Sequence, residues 1–257
     1  KTLELGKKLL KKEKFNFSEK VNNFFCNILV RKKIHNQFGG NLQAFISGGG
    51  ALDQKIGEFL NAIGLPTLQG YGLTEASPVV SCNLPDLVKV DTVGPPFRTN
   101  KVKIAEDGEI LVQGENVMLG YWNREDVNKE FFTEDGFFRT GDMATVDEKG
   151  YFRIVDRKKD MILVSGFNVF PNEVEEVVAA CEGVLENACI GIPHELTGES
   201  VKIFVVKMPG VDLDEEQIID YCRDKLTAYK MPKYVEFLDE LPKSTVGKIL
   251  RRELRGD

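Results

Sequence analysis

Seven consecutive residues, Gln69-Gly70-Tyr71-Gly72-Leu73-Thr74-Glu75, bring together two glycines, an aromatic ring, a hydroxyl and a carboxylate. Glycine lets a backbone approach a ligand closely, and a tyrosine face stacks on a flat heterocycle. A threonine hydroxyl can bond a phosphate oxygen, and a glutamate can hold a hard cation such as Mg²⁺. These are the parts needed to grip a nucleotide and its metal. The same residues also fit a glycine-rich turn ahead of a polar helix. Three later segments favour the nucleotide. Phe138-Arg139-Thr140-Gly141-Asp142 ends in a carboxylate able to accept both hydroxyls of a ribose. Ile154-Val155-Asp156-Arg157-Lys158-Lys159-Asp160 adds an arginine after an apolar strand. Pro242-Lys243-Ser244-Thr245-Val246-Gly247-Lys248 ends in a lysine, whose charge can offset charge developing where a carboxylate meets a phosphate. Taken singly, these are a surface acid, a charged turn and a solvated lysine.

The elements that must position these residues fall into three blocks. In the first, a helix over 18–38 with Ser18 as N-cap precedes a short strand from Leu42 to Ser47. A helix from Leu52 to Ile63, closed by Gly64, and a strand from Pro66 to Gln69 follow. Strand–helix–strand order predicts a parallel pair, with ligands beyond the strands' carboxyl ends, where Gly48–Gly50 and Gly70–Gly72 would lie as loops. In the second block, short strands at Val102–Ile104, Glu109–Val112, Ala144–Val146 and Tyr151–Val155 are joined by turns at Asp107-Gly108 and Lys149-Gly150. In the third, a hairpin from Met161 to Phe170 leads to a helix from Asn172 to about Cys181. Strands at Ala188–Ile192 and Val201–Val206, a helix from Asp214 to Ala228 and a strand through Tyr234–Leu238 complete it. The predicted fold class is α/β plus α+β: a partial parallel-sheet subdomain, an antiparallel barrel-like subdomain and a small C-terminal α+β domain. We place the domains at 1–159 (sheet part about 1–90, barrel-like part about 91–159) and 160–257, with the charged segment Asp156 to Asp160 as boundary.

The chain has 257 residues, 42% of them hydrophobic, enough for two domains with real cores. Five cysteines without paired spacing lead us to expect reduced thiols and a cytoplasmic setting. The two histidines, His35 and His194, are not near cysteine pairs, which argues against zinc. No apolar run approaches the ~20 residues that span a bilayer. Residues 1–40 carry a net charge of +7 and the remainder −13. The basic stretch Lys7–Lys12, then Val21, Phe24, Phe25, Ile28 and Leu29 at helical spacing, reads as helices that pack on further parts of the protein. A peripheral membrane contact is the alternative. Net acidity elsewhere argues against a nucleic-acid partner. Oligomeric state is not legible.

In their order and separations, the four motifs resemble the acyl-adenylate-forming superfamily of acyl-CoA synthetases, luciferase-like enzymes and adenylation domains. Ser165-Gly166-Phe167-Asn168-Val169-Phe170-Pro171-Asn172-Glu173-Val174-Glu175 matches that family's pattern too. The resemblance covers roughly residues 40–255. It implies that ATP and a carboxylic acid give an acyl-adenylate, which a thiol, usually of coenzyme A, converts to a thioester. It further implies that Gln69, Gly70, Tyr71 and Gly72 line adenine, with Gly49, Gly50 and Ala51 as a neighbouring wall. Thr74 would bond the α-phosphate, Glu75 would hold Mg²⁺, and Asp142 and Arg157 would bind the ribose. Lys248 would bridge acyl and phosphate oxygens, Lys159 would be the hinge, and Gly166 would line the coenzyme A tunnel. Gly120-Tyr121-Trp122 resembles a family motif with a packing role only. The family's Ser/Thr/Gly-rich phosphate loop ending in Pro-Lys-Gly has no counterpart in these residues, so the chain is expected to be a C-terminal half, inactive alone in the overall reaction. Phe45–Leu52 and Tyr71–Val80 look most like long-chain fatty acyl-CoA synthetases. An aryl- or medium-chain acid ligase, acyl-carrier protein as acceptor, and a non-catalytic nucleotide- or coenzyme-A-binding fragment are the alternatives.

Overall fold

The computed structural model describes residues 1–245 and 247–256. It divides into two compact units, Lys1–Thr140 with Ala144–Ile154, and Gly141–Met143 with Val155–Asp257. The first unit opens with helices α1 (Thr2–Leu10) and α2 (Phe17–Cys26), a π-helical turn (Asn27–Arg31) and α3 (Lys32–Gln37). Asn16, not Ser18, caps α2. Its Oδ1 accepts from Glu19 N at 2.8 Å, and Glu19 accepts from Asn16 N at 3.0 Å. That reciprocal box needs an acid three residues after the cap, which Asn16 has and Ser18, followed by Val21, lacks. The apolar residues Phe17, Phe24, Phe25, Ile28 and Leu29 are exposed.

Strand β1 (Phe45–Ser47) is followed by α4 (Gln54–Ala62), β2 (Thr67–Gly72) and β3 (Val79–Cys82). Asp53 caps α4 through Ile56 N at 2.9 Å. The α3 region is tied to the end of this helix by buried Arg31, whose Nε donates to Ala62 O at 3.1 Å and Nη1 to Asn23 at 2.7 Å. β1 and β2 are parallel over Phe45–Ser47 and Thr67–Gln69. β2 then continues: Gly70, Tyr71 and Gly72 pair antiparallel with Cys82, Ser81 and Val79. Gly70–Gly72 are therefore strand residues, not the loop expected after Gln69.

A four-stranded sheet of order β4-β5-β6-β7 is built from β4 (Asn100–Ile104), β5 (Glu109–Gly114), β6 (Phe138–Val146) and β7 (Phe152–Arg157). Helix α5 (Glu125–Phe131), not foreseen in the sequence, lies between β5 and β6 in the chain. Val80, Val93, Ile110, Val112, Ala144 and Phe152 form the core of this unit. β6 starts six residues earlier than its apolar stretch suggested, so Phe138 to Asp142 are strand.

In the second unit, β8 (Ile162–Val164) and β9 (Phe167–Val169) form a hairpin ahead of α6 (Pro171–Ala179). The antiparallel pair β10 (Val184–His194) and β11 (Gly198–Lys207) follows, then α7 (Glu215–Arg223), β12 (Tyr234–Phe237) and α8 (Arg251–Arg255). β12 lies parallel to β11. β11 is apolar on both faces. Val201, Ile203 and Val205 join Val174, Val178 and Ile218 of the helices, while Phe204 and Val206 meet Leu241, Ile249 and Leu254. A continuous apolar run is what a strand covered on both sides requires, and each such side chain contributes about 1.5–3 kcal/mol. All five thiols are free, and Cys181, Cys189 and Cys222 are buried. Burial pushes the pKa of Cys222 to about 11, that of Cys189 well above the ordinary thiol range, and those of Cys82 and Cys181 upward. No helix among the described residues is long and apolar enough to cross a membrane.

The β6–β7 turn yields a pH prediction. Asp147 accepts from Lys89 Nζ at 2.6 Å, Lys149 N at 2.9 Å and Tyr151 N at 3.0 Å. Lys89 first, then the Tyr151 N–H, lower its pKa from 3.8 to about 2. A lowered carboxylate pKa gives stability that is present above the unfolded value and lost as pH falls through the folded one. Asp147→Asn should therefore melt at a lower temperature than the parent at pH 7. The gap should close as pH falls from 3.8 toward 2, as read by thermal denaturation across that window.

Candidate active site

In the first unit the loop after β1 runs beside β2. A methyl group at Gly48 would stand 3.7 Å from Gly70 O, whereas one at Gly49 or Gly50 would meet nothing within 4 Å. This loop presents bare backbone on its open side, with Ala51 exposed next to it. Gly70 and Gly72 are glycine for another reason. A methyl at Gly72 would fall 1.8 Å from Pro78 O, and one at Gly70 3.1 Å from Ser81 O. Their need is set by the close return of β3. Gln69 pairs with Ser47, and its carbonyl accepts from Asn83 N at 2.9 Å. Tyr71 is half-buried against the core of the unit.

Thr74 and Glu75 lie in a 3₁₀ turn (Thr74–Ala76) directly after β2, closed by Ser77 in the left-handed region at φ +51°. Glu75 is fixed at both ends. Its carbonyl accepts from Met118 N at 2.7 Å, and its Oε1 accepts from the Tyr121 hydroxyl at 2.8 Å. Tyr121 is held in turn. Its N–H donates to Asn128 Oδ1 at 2.7 Å, its carbonyl accepts from Asn128 Nδ2 at 3.0 Å, and its ring meets Phe131 edge-on at 5.9 Å. Burial, then the bond to Glu75, pushes the phenol pKa up to about 12, so it stays a donor. Gly120-Tyr121-Trp122 was expected only to pack. The structure instead connects it to the carboxylate expected to bind metal, and the one signal in the sequence was a polar-tipped ring inside an otherwise apolar motif.

In the second unit Asp142 lies on β6 and Arg157 at the end of β7, with Arg157 Nε 3.9 Å from Asp142 Oδ1. Lys248 sits on the loop between Pro242 and Leu250. Its N–H donates to Ser244 Oγ at 3.1 Å, its carbonyl accepts from Ser244 N at 2.8 Å, and Leu250 N donates to Pro242 O at 2.9 Å. Val246 of this loop lies outside the described residues. Burial, then the charge of Arg157, lowers the Lys248 pKa, with Asp142 opposing. Three residues far apart in sequence thus share one electrostatic neighbourhood. Lys159 is exposed in the 3₁₀ turn Lys158–Asp160. Ser165 and Gly166, at φ +50° and +83°, form the tip of the β8–β9 hairpin, with open space around Gly166. Such a pair of positive φ values is the geometry of a two-residue type I′ hairpin turn.

Among the described residues no three His, Cys, Asp or Glu side chains gather as a metal cage. A single carboxylate, Glu75, fits a Mg²⁺ that takes its remaining oxygens from phosphates and water, the usual manner of that ion at nucleotide sites.

Residues 3–122 match the family model of AMP-binding enzymes, and residues 173–248 that of the AMP-binding enzyme C-terminal domain. A long-chain-fatty-acid–CoA ligase of Yersinia pestis is 47% identical over 249 residues, covering 92% of this chain and 44% of that protein. One from Escherichia coli O157:H7 is 46% identical over 262 residues, 97% of this chain and 46% of that protein. The chain therefore spans less than half the length of these curated relatives. The ATP-bound crystal structure of MatB from Rhodopseudomonas palustris superposes with a TM-score of 0.80 at 36% identity, over 86% of this chain and 46% of that one. The o-succinylbenzoate CoA synthetase of Bacillus subtilis, in complex with its acyl-adenylate, gives a TM-score of 0.76 at 29% identity, over 88% and 50%. The mixed α/β architecture is that of adenylate-forming enzymes.

Two contrasts test the first constellation. Gly72→Ala should cost about 1–3 kcal/mol or more, because no flexible side chain can yield to the new methyl. Gly50→Ala should leave the melting temperature at the parent value. Tyr121→Phe, which removes only the bond to Glu75, should lower stability by about 0.5–1.5 kcal/mol. Thermal and urea denaturation of the three variants beside the parent check all three.

Proposed function

This chain belongs to the AMP-binding enzyme family, and we propose that its protein is an AMP-forming acid–thiol ligase: it activates a fatty acid with ATP and passes the acyl group to coenzyme A. The names of its relatives support a long-chain fatty acid as substrate. The observation that carries the reading is the convergence of Asp142, Arg157 and Lys248 in the second unit. Asp142 and Arg157 bind the ribose. Lys248, whose pKa is lowered by burial and then by Arg157, brings its charge to the point where carboxylate and α-phosphate oxygens meet. A carboxylate is a poor electrophile, and the mixed anhydride with AMP makes it a good one.

In the first unit the bare backbone of Gly49, Gly50 and Ala51, with Gln69 to Gly72, lines adenine, and Thr74 bonds the α-phosphate. Glu75, aimed by Tyr121, holds Mg²⁺, which neutralises phosphate charge when bound. Lys248 serves adenylation and Gly166 the thioester step. Because both lie in residues 160–257, the two steps need that domain to rotate, with Lys159, exposed in its single turn, as hinge.

Lys248→Ala in the full-length protein should lower adenylation by about 10²–10³-fold, the scale of removing one electrostatic stabiliser. It should spare thioester formation from supplied acyl-adenylate. Pyrophosphate release and thioester formation, measured on the same preparation, decide this, and equal loss in both steps counts against the reading. Asp142→Ala should weaken AMP binding by about 1.5–3 kcal/mol, and an unchanged affinity by calorimetry removes Asp142 from the ribose site.

A further inference from the structure

Arg251 is bonded to several acidic side chains of the second unit, and no role has yet been given to it. Its Nε and Nη2 form a two-pronged pair with Glu175 at 3.1 and 2.7 Å. Nη2 also donates to Asn172 Oδ1 at 2.6 Å, and Nη1 lies 3.4 Å from Asp160 Oδ2 and 3.5 Å from Asp156 Oδ1. Arg255, one helical turn on, donates to the other oxygen of Asp160 at 2.9 Å. Asp156 is itself committed, accepting from Arg157 N at 2.8 Å and Asn172 N at 2.9 Å. Burial works against the charge of Arg251, but Glu175, with Asp156 and Asp160, more than offsets it and raises the guanidinium pKa.

This cluster joins the end of β7, the turn after it, the start of α6 and the start of α8. Lys248 stands three residues before Arg251. Between them, Ile249 docks on the apolar patch of Phe204 and Val206, as does Leu254 beyond. That apolar contact holds the segment down, but it is non-directional. A planar guanidinium with a two-pronged partner has direction.

Resting on the function proposed above, we infer that Arg251 is a positioning residue for Lys248. By binding Asp156, Asp160 and Glu175 it fixes the register of the Lys248 segment against the strand that carries Arg157, so that the ammonium is delivered beside the ribose-binding pair. Lys248 acts on substrate, and Arg251 acts only through it.

The test is a mutant cycle in the full-length protein, reading adenylation by ATP–pyrophosphate exchange and thioester formation from supplied acyl-adenylate. Arg251→Met should lower the turnover of adenylation by about ten- to a hundredfold, the scale of an ångström-level misplacement. The KM for ATP and the thioester step should stay near parent values. Arg251→Lys, which keeps the charge and loses the fork, should recover part of the loss. Glu175→Gln, a milder change that keeps an oxygen acceptor for Arg251 and for Cys189 N, should show a smaller loss in the same step. In a Lys248→Ala background, Arg251→Met should add nothing, because the group it positions is gone. If the two losses multiply, or if Arg251→Met and Glu175→Gln impair both steps equally, Arg251 supports the fold alone and the inference fails while the role of Lys248 stands. If Lys248→Ala itself leaves adenylation intact, the functional reading fails and takes the inference with it.

Discussion

The second unit depends on the burial of β11 on both faces. A strand with Val201, Ile203 and Val205 on one side and Phe204 and Val206 on the other cannot stop at one layer. Helices α6 and α7 cover the first face. The second face packs against the short segment after β12, with Leu241, Ile249 and Leu254. That demand draws the segment of Ile249 and Leu254 onto the sheet, and with it Lys248, whose pKa registers burial and the charges of Arg157 and Asp142. Hydrophobic cover supplies the proximity, and hydrogen bonds and ion pairs then decide orientation.

The first unit shows the reverse division of labour. Its glycine-rich stretch is dictated by backbone against backbone, since Gly72 stands where any side chain would collide with Pro78 O. Once β2 and β3 are locked together, the 3₁₀ turn directly after β2 carries Thr74 and Glu75. The Tyr121 hydroxyl then fixes one oxygen of Glu75 and leaves the other carboxylate oxygen for a further partner.

The fold class, the strand–helix–strand unit around Gln69 and the hairpin within Met161–Phe170 were legible because their signals are local: period and turn residues. What was misread depended on partners distant in sequence. Gly70 and Gly72 have the composition of a turn, and only pairing with Val79–Cys82 makes them strand. Tyr121 gave no sign of Glu75, 46 residues earlier. Nothing in Arg251-Arg252 says which arginine is buried, since the answer lies in Glu175 and Asp160, 76 and 91 residues away. Motif residues could be named from the sequence, but the side chains that orient them could not.

The buried cysteines bear on chemoselectivity. A protein that generates an activated acyl group exposes its own nucleophiles to acylation, and the reactive form of cysteine is the thiolate. Cys82, Cys181, Cys189 and Cys222 all have pKa values raised by burial, that of Cys222 to about 11. At neutral pH these sulfurs remain protonated, and Cys189 and Cys222 are fully buried. The core thus keeps these four sulfurs poor nucleophiles toward any activated acyl group.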